Sequence, residues 1–325
     1  MHPAPTSPSP ELPATTRLAP SPTGALHLGN ARTFAVNWAL ARRRGWRVLL
    51  RVEDLDTPRT KAGAAEQAIE DLRWLGLDWD QGPSFQAPLL GPGGPYTAAL
   101  GRLRAAGHAY PCPATRRELQ AASAPNEGDP PEPRCPGRWR PPATPPPGAP
   151  VAQRLVVPPG EVRFVDGFAG PRAFDVAAAV GDFVLWTKAG LPSYQLAVVV
   201  DDARQGVTHV VRGDDLLPST ARQLLLHERL GLGPPAYLHL PLVRGPDGRR
   251  LAKRHGDTRV ASYRAAGVPA ARVLALLARW SGVPAEVAGD ALTPAAFAEA
   301  FDLARLPPRD VTFTAEDHAW LTARS

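Results

Sequence analysis

The chain has 325 residues, 44% of them hydrophobic, so it is long enough to bury a substantial core and its composition is that of a globular protein. The formal net charge of +6 at pH 7 permits an anionic partner without requiring one. Two cysteines exclude a disulfide framework and favour the cytoplasm, and no apolar run reaches the length of a membrane span.

The amino-terminal part predicts a tail, a loop and then a helix. Residues 1–16 are rich in proline and serine and lack the basic start and apolar middle of a signal peptide, so we expect a disordered tail there. The stretch RLAPSPTGALHLGN over residues 17–30 is punctuated by proline and glycine, which predicts a loop. It leads into helical periodicity over residues 31–44, which Gly45 ends.

Strand and helix patterns then alternate. Residues 47–54 read as a strand of a buried parallel sheet that ends in acids, and residues 64–75 as a helix. Residues 196–202 and 207–215 are two further strand candidates that end in charged residues, and a helix is predicted over residues 219–230. This alternation predicts an α/β fold with a parallel sheet.

Two regions depart from the alternation. Ten prolines fall between Pro130 and Pro150, which is incompatible with a regular helix or an interior strand, so we expect an insertion that holds a mobile or polyproline segment. Residues 256–325 have helical patterns, most clearly over 270–280.

The loop before the first helix could bind phosphate, because a helix N-terminus offers unpaired N–H groups and a partial positive charge. Gly24 and Gly29 would let a ligand approach the backbone, and His27 could donate to a phosphate oxygen. An ordinary capping loop with a surface histidine gives the same pattern. A basic loop over residues 249–255 contains Lys253, one of only three lysines, and could close over a triphosphate. A solvated basic turn is the alternative.

Several blocks resemble the glutamyl branch of the class I aminoacyl-tRNA synthetases. PSPTGALHLGN (20–30) resembles their "HIGH" signature and RLAKR (250–254) their "KMSKS" loop. The blocks RLAPSPTG, LLRVEDLDTPR, WLGLDWDQGP, YQLAVVVDDARQGVTHVVRGDDLL and YLHLPLV occur in the same order as in that branch. The resemblance covers roughly residues 17–260 apart from the insertion.

The resemblance implies a Rossmann-type catalytic domain that binds ATP with Mg between the two signatures and forms an aminoacyl-adenylate. It also implies an inserted acceptor-type subdomain, a short helical C-terminal domain and a monomeric protein. With the patterns above, the expected division is a tail (1–16), the first half of the catalytic domain (17–110), the insertion (111–185), the second half (186–257) and the helical domain (258–325).

By the same resemblance, His27 and Lys253 are the expected catalytic residues, with ATP held by Pro20, His27, Gly29, Asn30 and Lys253. Asn30, Arg250 and Ala252 depart from the family signatures, which would weaken their contacts to phosphate. The expected glutamate-binding residues are Arg17, Leu18, Ala19, Pro20, Ser21, Glu53, Tyr194 and Arg212.

Four of these glutamate-site residues have an expected role. Glu53 would take the ammonium group, Arg17 and Arg212 the carboxylates, and Tyr194 would donate its hydroxyl. The alternatives are that Glu53 only pairs with Arg51 or Arg59 at the end of the strand and that Tyr194 belongs to the core.

The accepting tRNA is a separate question. Conventional glutamyl enzymes carry anticodon-binding domains after the second signature, for which the 70 residues from 256 onwards leave too little room. The shorter architecture resembles the glutamyl-queuosine tRNA(Asp) synthetases, which activate glutamate without tRNA and transfer it to queuosine in the anticodon of tRNA(Asp). The alternatives are a glutamyl- or glutaminyl-tRNA synthetase core, which requires tRNA for activation and acts on the tRNA 3′ end, and a non-catalytic tRNA-binding relative.

Zinc and the strand-end acids complete the expectations. Members of the group often bind zinc through a Cys-x-Cys pair and a later Tyr-x-x-x-Cys, but Ala114 and Pro131 stand at two of the four ligand positions. We therefore expect no zinc, with Cys112 and Cys135 as residual candidates. Four acids, Asp201, Asp202, Asp214 and Asp215, could contact ATP or magnesium or maintain the fold.

Overall fold

The computed structural model of the protein describes residues 13–55, 60–114, 135, 137–249, 251 and 257–323. Its strands are β1 (Thr15–Leu18), β2 (Arg47–Val52), β3 (Gln81–Phe85), β4 (Ala109–Cys112), β5 (Ala152–Leu155), β6 (Glu161–Asp166), β7 (Gly170–Asp175), β8 (Val184–Trp186), β9 (His209–Gly213), β10 (Ala236–Leu240), β11 (Val243–Arg244) and β12 (Val311–Thr312). Its helices are α1 (Leu28–Arg44), α2 (Ala64–Trp74), α3 (Pro95–Ala105), α4 (Val176–Ala179), α5 (Tyr194–Arg204), α6 (Leu217–Leu230), α7 (Val260–Ala265), α8 (Ala270–Arg279), α9 (Pro294–Ala300) and α10 (Ala315–Thr322).

A parallel sheet positions the rest of the molecule. β2 lies between β1 and β3, and β9 pairs with β10, all in parallel. The backbone N–H of Thr208, just before β9, donates to the Thr15 carbonyl at 2.9 Å, which joins the two groups of strands. The resulting order is β3-β2-β1-β9-β10. The strands β2 and β3 are added on one side of β1, whereas β9 and β10 are added on the other side, so the order of the strands switches between β1 and β9. In such folds ligands bind in the crevice at the carboxyl ends of the strands that flank the reversal.

Helix α1 forms for the reasons that the sequence indicates. His27 caps its start, because its Nδ1 accepts from the Asn30 backbone N–H at 3.4 Å, and Gly45 ends it in the left-handed conformation with φ +66°. Its buried face includes Ala31, Ala35 and Trp38, which pack in the main hydrophobic core. The predicted helix is confirmed and begins three residues earlier than expected.

Other predicted elements are also confirmed. The strand at 47–54, the helix at 64–75, the strand at 207–215, the helix at 219–230 and the helix at 270–280 correspond to β2, α2, β9, α6 and α8. The predicted α/β class with a parallel sheet is therefore correct.

The strand predicted over residues 196–202 is wrong, because this segment lies within helix α5. Ser193 caps the helix by accepting from the Leu196 N–H at 3.3 Å, and every residue from Gln195 to Asp202 is buried. A helix buried on all sides has no polar face, so its run of apolar residues cannot be distinguished from a buried strand by periodicity. Asp201 and Asp202 therefore lie on a helix and not at a strand end.

The boundary of the predicted tail is also wrong. Thr15 and Thr16 are buried in β1, parallel to Arg47 and Val48 of β2. β-branched residues favour a strand that is covered on both faces, and the proline-rich composition on their N-terminal side obscured this short segment. The remainder of the predicted tail, residues 1–12, lies outside the described residues.

The insertion contributes two small antiparallel sheets. β4, β5 and β8 form one sheet in that order, and β6 and β7 form a hairpin. In the proline-rich segment, residues 137–150 are described and form no helix or strand, as the prolines predict, whereas residues 130–134 and 136 lie outside the described part of the chain. The other expected domain boundaries stay predictions.

The C-terminal helices share one hydrophobic core with α1. Leu274 and Leu277 of α8 and Phe297 of α9 belong to the same buried cluster as Ala31 and Val36. The parallel pair β11–β12 joins this part to the segment after β10. Within the described ranges, no helix is long and apolar enough to cross a bilayer.

Gly282, between α8 and α9, gives a stability prediction. Its φ is +82°, and a Cβ atom there would overlap the carbonyl oxygen of Arg305. Gly282→Ala should therefore lower the free energy of unfolding by about 2 kcal/mol or more. Gly267 is a matched control, since its φ is +78° but a Cβ atom there would have no other atom within 4 Å, and Gly267→Ala should cost only about 1 kcal/mol. Urea unfolding compares the two variants, and equal losses would contradict the steric argument.

Candidate functional site

The loop that contains His27 forms the entrance to helix α1. A Cβ atom on Gly29 would lie 3.1 Å from Nδ1 of His27, so glycine leaves room for the imidazole against the first turn. His27 thus does what the alternative interpretation of this motif requires, because it caps the helix. The capping role is compatible with phosphate binding, because a residue that caps α1 lies next to the N–H groups of the first helical turn, which are the groups that bind phosphate.

The second signature approaches this loop through its flanking residues. The Leu28 N–H donates to the Thr258 carbonyl and the Val260 N–H to the Leu26 carbonyl, both at 2.9 Å. His27 and Arg259 form an antiparallel bridge. The segment directly after residues 252–256 is thereby fixed beside the His27 loop. Lys253, Arg250 and Ala252 lie outside the described residues, so their predicted contacts to ATP stay predictions.

Four predicted glutamate-site residues meet at the carboxyl ends of the central strands. Arg17 lies near the end of β1, Glu53 directly follows β2, Arg212 lies near the end of β9, and Tyr194 begins α5. The charges of Arg212, Glu53 and Arg17 all act on the Tyr194 hydroxyl, which requires the groups to lie close together. We call these four residues the charged site.

The rest of the predicted glutamate-binding segment contributes unequally. Leu18 is fully buried in the main core, so only its backbone is available to a ligand. Ser21 is exposed, and the Pro20 carbonyl accepts from the Glu53 N–H at 2.9 Å. The hydrogen bond from the Glu53 N–H to the Pro20 carbonyl holds the 17–21 segment, which includes Ala19, against the end of β2.

A buried ion network supports one side of the charged site. Asp202 Oδ1 lies 2.7 Å from Arg51 Nη1 and 3.4 Å from Arg17 Nε, and Arg51 Nη2 lies 3.1 Å from Glu53 Oε1. Gln205 accepts from Arg51 Nη1 at 2.8 Å. The alternative interpretation of Glu53, a partner for Arg51, is therefore realised in the structure.

Burial and charge shift the pKa values at this site in different directions. Burial raises the pKa of Glu53 even though Arg51 and Arg17 oppose the shift. Burial also raises the pKa of Tyr194, which keeps its hydroxyl protonated and able to donate. Burial would raise the pKa of Asp202, but Arg51 and Arg17 outweigh it and the pKa is lowered. Asp202 is thus the stable anion of the network. An arriving ammonium group would stabilise the ionised form of Glu53.

Arg212 is held on the other side of the charged site. Its Nη2 donates to Thr220 Oγ1 at 2.7 Å and to Gln223 Oε1 at 2.9 Å, and its Nε donates to His239 Nε2 at 3.0 Å. Nη1 is buried, and within the part of the chain that the structure describes nothing accepts a hydrogen bond from it. A buried N–H group without an acceptor is costly, so Nη1 is suited to an anionic ligand atom.

Sequence reasoning missed the residues that hold Arg212. Thr220, Gln223 and His239 make no recognisable motif, and their roles depend on contacts between distant parts of the chain. Asp202 was only one of four acids with an open role, and Arg51 only an alternative partner of Glu53. The one available signal was the polar residue within an apolar strand, as in the run YLHL of β10.

The remaining predicted acids do not form one cluster. Asp201 accepts from Tyr96 at 2.8 Å and from Gln86 at 2.7 Å, so it ties α5 to α3. Burial raises the pKa of Asp214 to about 6, with Asp310 and Asp215 adding to the shift. Among the described residues, no group of three or more histidine, cysteine or acidic side chains could hold a metal ion.

The two cysteines lie together in the insertion. A hydrogen bond with Cys112 lowers the pKa of Cys135 to about 6, and the Tyr110 hydroxyl lies 3.9 Å from the Cys135 sulfur. The Tyr110 hydroxyl donates a hydrogen bond to Asp182 Oδ2 at 2.7 Å, and Arg140 Nε donates to the same oxygen at 2.6 Å. Among the described residues, two sulfurs and a carboxylate that is already hydrogen-bonded do not complete a four-ligand zinc site. That the protein binds no zinc stays a prediction.

Comparisons with known proteins agree with this architecture. Residues 13–320 match the family model for tRNA synthetases class I (E and Q), catalytic domain. The glutamyl-Q tRNA(Asp) synthetase of Symbiobacterium thermophilum is 48% identical over 94% of this chain and 98% of its own length. The glutamate–tRNA ligase of Methylobacillus flagellatus is 38% identical over 95% of this chain and 66% of its own length.

A solved structure shows the same fold. The crystal structure of a glutamate tRNA ligase from Elizabethkingia meningosepticum in complex with its amino acid has a TM-score of 0.79 and 28% identity, and the match covers 95% of this chain and 68% of the other. The Rossmann-type class I fold expected from the sequence is confirmed. Because the family model spans residues 13–320 and the relative from S. thermophilum is 48% identical, the chain belongs to the class I tRNA synthetases of the E and Q type.

Proposed function

We propose that the protein activates L-glutamate with ATP in the absence of tRNA and transfers the glutamate to queuosine in the anticodon of tRNA(Asp). The observation that carries the amino-acid assignment is the charged site, where Arg17, Arg212, Glu53 and Tyr194 meet at the carboxyl ends of the strands. A ligand with two carboxylates and one ammonium group matches two guanidinium groups and one carboxylate.

The chemistry of activation assigns roles on both sides of the site. A glutamate carboxylate oxygen attacks the α-phosphorus of ATP. The bond between this phosphorus and the oxygen that bridges it to the β-phosphorus breaks, and pyrophosphate leaves with that oxygen. His27, Gly29 and Asn30 at the α1 N-terminus would bind the triphosphate, and Lys253 would neutralise charge that develops on it. Pro20 completes the proposed ATP site. Magnesium would accompany the ATP in this reaction.

The relatives support the choice of acceptor. The relative from S. thermophilum, which this chain matches over 98% of its length, is named a glutamyl-Q tRNA(Asp) synthetase. A second candidate is a glutamate–tRNA ligase, which the relative from M. flagellatus favours at 38% identity. The higher identity and the fuller match favour the first.

Pyrophosphate exchange tests the activation step. We expect glutamate-dependent exchange between ATP and labelled pyrophosphate without added tRNA, and none with glutamine or aspartate. Exchange that requires tRNA would support the glutamate–tRNA ligase instead. No exchange with any amino acid, with or without tRNA, would support a non-catalytic tRNA-binding relative.

Transfer to tRNA tests the acceptor with two matched substrates. The first is queuosine-containing tRNA(Asp) from which the 3′-terminal adenosine has been removed, and the second is tRNA(Asp) with an intact 3′ end but without queuosine. Labelled glutamate should appear on the first and not on the second. The reverse result would place the reaction at the 3′ end and overturn the proposed acceptor.

A further inference from the structure

A buried chain of hydrogen bonds runs from the β6–β7 hairpin to the charged site. Asp166, the last residue of β6, lies with its Oδ2 2.6 Å from Nδ1 of His239 in β10. His239 in turn faces Arg212, with 3.0 Å between His239 Nε2 and Arg212 Nε. His239 and Asp166 are both fully buried or nearly so. Burying two titratable side chains is costly unless each is paired, and here each is.

The geometry determines where the protons lie. A carboxylate only accepts, so His239 must donate its Nδ1 proton to Asp166. A guanidinium only donates, so His239 Nε2 must be unprotonated to accept from Arg212 Nε. The histidine is therefore neutral, in a single tautomer. Asp166 is itself fixed, because its Oδ1 accepts from the backbone N–H groups of His239 at 3.0 Å, Phe168 at 3.0 Å and Ala169 at 2.8 Å.

The other edges of the Arg212 guanidinium are also occupied. Thr220 and Gln223 accept from Nη2, and the group lies over the Tyr237 ring, 5.2 Å from its centroid. A planar guanidinium held at Nε, at Nη2 and on one face has no rotational freedom left. Only Nη1 remains for a ligand, as described above.

We propose that His239 is a positioning residue that fixes Arg212 in advance, so that Nη1 faces a carboxylate of the bound amino acid, and that Asp166 holds His239 in the tautomer that accepts from Arg212. This inference rests on the proposed function, because it assumes that the ligand of the charged site is glutamate. Fixing the arginine before the ligand arrives removes an entropic cost from binding. His239 acts through Arg212 and does not touch the ligand.

Two substitutions of His239 separate positioning from a structural role. The amide of glutamine reaches the place of Nε2, so His239→Gln keeps an acceptor for Arg212 and loses the bond to Asp166. The shorter asparagine reaches the place of Nδ1, so His239→Asn keeps a donor to Asp166 and loses the contact with Arg212. Both variants keep a polar side chain of similar size, and a thermal unfolding curve for each checks the fold.

Steady-state pyrophosphate exchange measures the effect. His239→Asn should raise the KM for glutamate about tenfold or more, as expected for losing a hydrogen bond to a charged group, with kcat and the KM for ATP changed less than about threefold. His239→Gln should keep the KM for glutamate within about threefold of the wild-type value. Calorimetric titration with glutamate alone should show the same order of affinities.

Each result decides the inference. If the Asn variant keeps the wild-type KM, or if the Gln variant loses as much as the Asn variant, Arg212 is not positioned by His239. If the Gln variant fails to fold, the Asn variant still decides, because a wild-type KM for glutamate in that variant overturns the inference. Wild-type protein that neither binds glutamate nor exchanges with it overturns the proposed function and the positioning role with it, whereas an active wild type with unaffected variants overturns the positioning role alone.

Discussion

Arg212→Leu should raise the KM for glutamate by about a hundredfold or more while the KM for ATP stays within about twofold, because truncating one partner of a buried, hydrogen-bonded charge pair costs about 2–5 kcal/mol. Arg212 is 5% exposed, and its Nη1 is the one donor of the guanidinium for which the described residues offer no acceptor. Without this donor, a glutamate carboxylate would be buried without a counter-charge. Arg212→Lys keeps the positive charge but loses the planar set of N–H donors of the guanidinium group. Its KM for glutamate should therefore lie between those of the wild type and Arg212→Leu.

Pyrophosphate exchange at varied glutamate and ATP concentrations gives both KM values. Arg204 provides the control, because it lies on α5, is 44% exposed and pairs with Asp201 at 3.2 Å. Arg204→Leu should leave both KM values near wild type. Equal effects of the Arg212 and Arg204 substitutions would show that general charge, and not the fork of Arg212, determines glutamate binding.

Asp202→Asn should lower the free energy of unfolding by about 3 kcal/mol or more, since removing one member of a buried ion network leaves the other charges uncompensated. Asp202 is 2% exposed and lies between the guanidinium groups of Arg51 and Arg17. With asparagine in its place, Glu53 is the one remaining anion within ion-pair distance of Arg51 in the described part of the chain.

Chemical denaturation measures this loss, and Asp78→Asn is the matched control. Asp78 is 72% exposed and pairs with Arg42, so its substitution should cost less than about 1 kcal/mol. The folded-state pKa of Asp202 is lowered from 3.8, so its contribution is fully present at neutral pH and is lost only as the pH falls below 3.8. Lowering the pH below 3.8 should therefore reduce the difference in the free energy of unfolding between the wild type and Asp202→Asn. A difference that grows below pH 3.8 would contradict the assignment.

Local patterns account for the elements that the sequence predicted correctly. β2 and β9 are short apolar runs bounded by charge or turns, and α1 and α8 have a clear helical period. The same patterns could not separate α5 from a strand, because both are uniformly apolar when fully buried. The first strand was missed because Thr15–Leu18 is only four residues long.

The sequence by itself determined the α/β class and the motif around His27, because each is carried by neighbours along the chain, whereas the four residues of the charged site were candidates that the family resemblance implied. Only the tertiary structure decided what holds those residues: Asp202 between Arg17 and Arg51, and Asp166 and His239 behind Arg212. These partners are separated from the arginines by up to 185 positions, from Arg17 to Asp202, and no periodicity or motif connects them. They meet because the parallel sheet brings the carboxyl ends of β1, β2 and β9 to one edge, where burial makes every charge require a partner.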